Sequence, residues 1–283
     1  MNIQEISYNS KGFVELLRSI SSPPKKLYCL GSIPDLPMIS IVGSRKPTDY
    51  GRQITHKLAY DLASAGICIV SGLAYGVDAI AHQAALEAGG KVVAVLATPL
   101  DTIYPASNRD LAKSILQKGG AIISEYEVGT NTQRFNFPAR NRIIAGLSLA
   151  TIITEANAKS GSLITANFAI NNDRLVMAVP GNISNPQSAG PNNLIKLGAK
   201  LVTNATDVLA ELELKSSVLQ PQKVAPASKE EAIVVELIEL GHNNMQAIIE
   251  NSEFDAKQLA HVLSLMEITG KIRNLGAGQW MVN

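Results

Sequence analysis

The sequence predicts an α/β protein built mainly on a doubly wound, mostly parallel sheet. Three observations carry this. The short runs at 39–42, 68–71, 92–96, 121–124, 150–154, 175–178 and 200–202 are apolar rather than alternating, as strands covered on both faces are. The segments between them carry apolar residues at helical spacing, as Ile54, Leu58, Leu62 and Ala65 do in 52–65, and 77–88 forms a second such stretch. The βαβα order from 39 to 212 then makes a Rossmann-like sheet the first choice.

Taken in order, 12–20 predicts one short helix and 26–30 an edge strand, so that 1–35 reads as a short N-terminal extension. The Rossmann-like domain is expected over 36–213. Residues 214–227 hold two prolines and little periodicity, and read as a linker. From 228 to 283, helices near 229–239, 245–250 and 256–269 precede a hairpin of 271–274 and 279–282 that turns at Gly276-Ala277-Gly278. Three helices and a hairpin describe a small C-terminal winged-helix domain.

Composition bounds the function classes. With 283 residues, 46% of them hydrophobic and 17% charged, the chain can bury one large core and a small one. Cys29 and Cys68 lie in apolar runs without CxxC spacing, and are expected as reduced, buried thiols rather than a disulfide or a metal site. No apolar run approaches the roughly 18 residues of a membrane span. The polar first residues lack the core of a secretory signal, so a cytoplasmic protein without a membrane partner is expected. The net charge of +1 hides an asymmetry: 21 basic and 16 acidic residues precede Ser228, against 4 and 8 from there on. Polyanions are therefore favoured by the large domain and opposed by the tail.

Four loops stand where a strand ends and a helix begins, the edge at which open parallel sheets bind ligands. The first holds Gly43, Ser44, Arg45 and Lys46: a tight turn, a hydroxyl and a planar fork suited to phosphate oxygens. The second brackets a turn with Gly72 and Gly76 and ends at Asp78, placed to cap or to orient a neighbour. The third, Lys159, Ser160, Gly161 and Ser162, precedes a helix whose start favours anions. The fourth opens at Gly181 and closes at Gly190. Each alone is also what an ordinary βα turn looks like, and Arg45 could pair with a surface carboxylate. Together they support a phosphate-bearing ligand. A fifth segment, 134–142, packs three arginines and two phenylalanines into nine residues of a chain with only 5% aromatics. Cations that track a backbone and rings that stack on bases suit single-stranded nucleic acid. The other reading is that Phe135 or Phe137 plugs the core and that Asn141 and Arg142 cap a helix, with Arg142 bracing a loop.

These motifs, VGSRKPTDYG (42–51), SGLAYGVDAIAH (71–82), SEY (124–126), FPARNRIIAGLS (137–148), EANAKSGSLITA (155–166) and VPGN…AGPNNLIKLGA (179–199), together resemble the DNA-processing protein A (DprA/Smf) family over roughly 27–212. The resemblance implies a protein without catalytic residues, metal or cofactor that binds single-stranded DNA during natural transformation. It also implies a homodimer that hands the strand to a RecA-type recombinase. It places Arg45 and Lys159 on the family's basic DNA-binding residues, Phe137 at a ring position suited to stacking, and Arg140 and Arg142 in its ARNR run. Many members carry a helical domain ahead of the Rossmann-like part, for which 1–24 is too short; the winged helix is present in some and absent in others. The alternative is a nucleotide-binding or nucleotide-hydrolysing Rossmann-like enzyme. No GxGxxG and no GxxxxGK[ST] support it, and His56, His82, His242 and His261 lack ligand spacing. Asp78 with Glu155 is the one acid/base pairing to consider, with capping the expected role. A transcription regulator acting through the winged helix is opposed by the acidic tail.

Overall fold

The chain enters the sheet through a strand that its sequence hides. In the computed structural model, which describes residues 3–10, 12–214, 228–252, 254–269, 271–276 and 278–282, β1 (Gln4–Ser7) pairs antiparallel with β2 (Lys26–Gly31). The strand expected at 26–30 is therefore not an edge: β2 is flanked by β1 and, also antiparallel, by a later strand. With one apolar residue in four, β1 has the polar composition of an exposed edge, which is why no apolar run marks it. Between them, α1 (Glu15–Arg18) buries Leu17.

The remaining units follow the expected alternation: β3 (Met38–Val42), α2 (Asp49–Ser64), β4 (Cys68–Ser71), α3 (Val77–Glu87), β5 (Val92–Leu96), α4 (Arg109–Gln117) and β6 (Ala121–Ser124). Then come α5 (Asn136–Leu147), β7 (Ala150–Ile153), α6 (Ser162–Asn171), β8 (Leu175–Ala178), α7 (Ala189–Lys196), the two-residue β9 (Lys200–Leu201) and α8 (Ala205–Glu211). The sheet order is β1-β2-β6-β5-β4-β3-β7-β8-β9, parallel from β6 to β9. The chain winds outward from β3 to β6, then returns and winds the other way from β7. The switch point lies between β3 and β7, whose following helices α2 and α6 pack on opposite faces of the sheet and leave a crevice at that edge.

Alternate strand residues feed two cores. Ile39, Ile41, Ala94 and Leu96 join Leu58 and Leu62 of α2 on one face, while Val42, Val93 and Val95 join Ile143 and Ile144 of α5 on the other. Phe13, Leu17, Ile20 and Leu27 belong to the second core, and a Cβ at Gly146 would stand 2.8 Å from both Leu17 and Ile20. Cys29 and Cys68 are buried free thiols, pushed up by burial to about 11 and about 12. The stretch 194–212 leaves an apolar surface open only in part. Leu194 and Val202 are core residues, whereas Leu197 at the end of α7 and Leu201 on β9 are 85% and 51% exposed.

The chain divides into two compact units, Met1–Val218 and Leu219–Asn283. In the second, α9 (Lys229–Glu239), α10 (Met245–Glu250) and α11 (Ala256–Ile268) precede the antiparallel pair β10 (Ile272–Gly276) and β11 (Gln279–Val282). Val234, Ile248, Leu259, Leu263 and Met266 form its core, and Asp255 caps α11 in a reciprocal bond pair with Gln258. The linker expected over 214–227 lies, apart from Leu214, outside the described residues, as does Ala277 in the expected turn. Among the described residues no helix is long and apolar enough to cross a membrane, and no group of His, Cys, Asp or Glu could hold a metal.

Candidate nucleic-acid interface

The crevice at the switch point is held open by bonds between its loops. The Ser44 N–H donates to the Glu155 carbonyl at 2.6 Å, joining the loop after β3 to the loop after β7, and the Val77 N–H donates to the Ser44 carbonyl at 3.1 Å. The buried Glu155 carboxylate accepts the Thr48 N–H at 2.8 Å and the Thr48 hydroxyl at 2.6 Å, while Thr48 caps α2 through Gly51 N–H. Glu155 thus pins the start of a helix.

The glycines of these loops let other segments of the protein approach closely. A Cβ at Gly43 would lie 2.8 Å from Val77 Cγ2 and 2.7 Å from the Glu155 carbonyl, although Gly43 also lines the cleft. Gly76 adopts φ +74°, and a Cβ there would overlap the Ser44 carbonyl; it is not part of the cleft wall. Gly72 leaves room for the Arg140 guanidinium, which a Cβ would overlap. Gly181 lies away from the cleft, where Asn192 bonds both its N–H and its carbonyl at 3.1 and 2.9 Å.

The arginine-rich segment divides in three. From Asn136 on it forms the first turns of α5, so consecutive side chains point in different directions. Arg140 is only 6% exposed: its Nη1 donates to the Gly72 carbonyl at 2.8 Å and to the Val95 carbonyl, and its Nε to Asn141 Oδ1 at 3.2 Å. Burial pushes this guanidinium down to about 10, and its charge opposes the burial that pushes the neighbouring Asp78 carboxyl up. Asp78 accepts the Gly72 N–H at 3.0 Å and the Ala74 N–H at 3.4 Å. Arg140 is therefore a brace in the cleft floor and not a cation free for phosphate. Arg142 points elsewhere and places Nη2 2.6 and 2.7 Å from the two carboxylate oxygens of Glu125, outside the cleft. Asn141 faces the cleft and donates to the Gly161 carbonyl at 3.3 Å. Neither phenylalanine plugs the core: Phe135 is 68% exposed and Phe137 half-buried, the buried member being Asn136, which donates to the Ala97 carbonyl at 3.3 Å.

These elements enclose a cleft of about 580 Å3, within the range of ligand sites. Arg45 and Lys46 stand exposed at its rim. The Arg45 guanidinium lies 6.0 Å from the centre of the Phe137 ring, a cation–π arrangement that holds cation and ring together. Opposite stand Ser160 and Ser162, their hydroxyls 2.8 Å apart. The first N–H groups of α6 are not free for an anion. Those of Ser162, Leu163 and Ile164 donate to Ser160 Oγ, the Ser160 carbonyl and the Gly161 carbonyl. The helix offers its dipole and the two hydroxyls instead. Lys159 is exposed, one residue outside the lining. Sequence reasoning missed Thr165, Asn157 and Gln187 of the cleft wall and, beside it, Tyr104, whose ring meets Phe137 edge to face at 5.5 Å. A tyrosine just before a proline between β5 and α4 carries no local signal of such a role.

Comparison with known proteins identifies the family and supports the fold. The model of the family described as DNA recombination-mediator protein A matches residues 4–213. Over 217 residues the chain is 44% identical to Protein Smf of Synechocystis, covering 75% of this chain and 54% of that relative, so the match spans about half of its length. The X-ray structure of DNA processing protein A from Streptococcus pneumoniae superposes with a TM-score of 0.70 at 41% identity, covering 74% of each chain. DNA processing protein A from Helicobacter pylori, whose structure was described for its single-stranded DNA binding mode, superposes with a TM-score of 0.66 at 35% identity, covering 74% of this chain and 96% of that one.

Proposed function

Because the chain belongs to the DNA recombination-mediator protein A (DprA/Smf) family, we propose that its large unit binds single-stranded DNA, without regard to sequence, at the switch-point cleft. The observation that carries this is the pairing of an exposed cation with a half-exposed ring, Arg45 over Phe137, at the mouth of a cleft walled by hydroxyls and amides. A phosphate requires the first and a base the second. The relative from Helicobacter pylori, described for its single-stranded DNA binding mode, supports the same reading. The protein acts as a binder and not as an enzyme: the carboxylates of Asp78 and Glu155, the pair considered for acid/base work, both accept backbone N–H groups. In the cytoplasm it protects incoming strands and loads a RecA-type recombinase during natural transformation. It does so as a homodimer that covers the exposed Leu197 and Leu201 beside the last strand.

Titration of fluorescein-labelled oligo-dT by anisotropy at several salt concentrations tests the assignment. Arg45→Ala and Lys159→Ala are each expected to lower the slope of log K against log salt by about 0.7. A wild-type protein that binds duplex as tightly as single strand, or with no salt dependence, would overturn the reading.

A further inference from the structure

We propose that Tyr104 and Tyr75 form a second base-stacking position beside the Phe137–Arg45 pair, so that the site holds two successive nucleotides. This rests on the single-stranded-DNA reading above. A small recess adjoins the main cleft, walled by Tyr75, Tyr104 and Pro105; it shares Arg45, Ala74, Phe137 and Arg140 with the cleft. Those four residues form the wall common to both hollows. The recess holds only about 10 Å3, against about 580 Å3 for the cleft. A base cannot enter it and can only lie against the rings that wall it.

Those rings are open and stand on loops that are tied together. Tyr75 is 49% and Tyr104 48% exposed. They stand on different loops, after β4 and after β5, and these loops are tied together: Asn108 Nδ2 donates to the Leu73 carbonyl at 2.9 Å and to the Ala74 carbonyl at 3.3 Å. The loop of Tyr104 is closed on itself by Thr98 Oγ1, which donates to the Thr102 carbonyl at 2.5 Å. Phe137 supports the Tyr104 ring edge to face, with 70° between the planes. A ring fixed in this way loses little freedom when a base stacks on it. Arg45, in the shared wall, is placed for the phosphate that links the two nucleotides. Stacking on an aromatic face tolerates every base, and so adds affinity without sequence preference.

The test measures oligo-dT binding by wild type, Tyr104→Ala, Tyr75→Ala and Tyr104→Phe, with a thermal melt for each. Both alanine variants are expected to bind about tenfold more weakly, with the wild-type salt slope and melting temperature, and Tyr104→Phe to bind like wild type. If Tyr104→Ala melts early, Tyr75→Ala, on the other loop, decides. The proposal is overturned if wild type binds and Arg45→Ala lowers the slope while both alanine variants stay within twofold of wild type. It is overturned equally if Tyr104→Phe is as weak as the alanine variant, which would mark a hydroxyl contact. Loss of wild-type binding altogether would instead refute the function on which the proposal rests.

Discussion

Replacing Arg140 with alanine removes a guanidinium that is 6% exposed and joins three segments: the ends of β4 and β5 through the carbonyls of Gly72 and Val95, and α5 on which it stands. Two buried acceptors then lose their donor, each costing about 1–3 kcal/mol. The Asp78 carboxyl, pushed up by burial and eased by Arg140, loses its compensating charge. Removing one member of such a buried arrangement costs about 3–5 kcal/mol, a large share of the ~5–15 kcal/mol that holds a domain together. Urea denaturation followed by circular dichroism is expected to show this loss as an early midpoint. Arg140→Lys should recover little, because an ammonium cannot reproduce the planar fork. At low denaturant, the folded fraction of Arg140→Ala should bind oligo-dT with the wild-type salt slope. An unfolding free energy within about 0.5 kcal/mol of wild type, together with a slope lowered by about 0.7, would refute the reasoning and make Arg140 the phosphate contact that its motif implies.

Two further outcomes follow from neighbouring residues. Arg142→Ala should cost about 1.5–3 kcal/mol of stability through the lost charged hydrogen bonds to Glu125, yet leave the salt slope unchanged; a lowered slope would return Arg142 to the DNA site. His82 is fully buried on α3, and burial, aided by the charge of Arg140, pushes its imidazole down to about 3. An unfolded histidine titrates near ~6.5. The stability held by the neutral ring is therefore present above about pH 6.5 and is lost as pH falls toward 3, by about 1.4 kcal/mol per pH unit. Between pH 7 and 4.5, wild type should lose about 2–3 kcal/mol more than His82→Leu in urea melts, and equal losses would show that His82 does not govern acid sensitivity.

The local physics of the chain determined much of this protein. Strands β3 to β8 are legible to within a residue, because a strand buried on both faces must be apolar throughout. The binding edge is legible because parallel strands place their helix-opening loops at one end. Among the strands of the described residues only β1 escaped, being a polar edge whose single apolar residue is no pattern. The roles of individual side chains were a different matter. Arg140, Asn141 and Arg142 are adjacent in sequence and equally polar, yet the turn of α5 sends them to the floor brace, the cleft wall and Glu125. Charge and motif cannot separate them, since the partners Gly72, Gly161 and Glu125 are brought there by other elements. Likewise Tyr104 and Phe137 lie on opposite sides of β6 in the chain and meet because β5 carries one loop and α5 the other ring to the same edge. Periodicity is written in the chain because burial acts on each residue separately. Which cation remains free for a ligand is a relation between segments, and it exists only once they are packed.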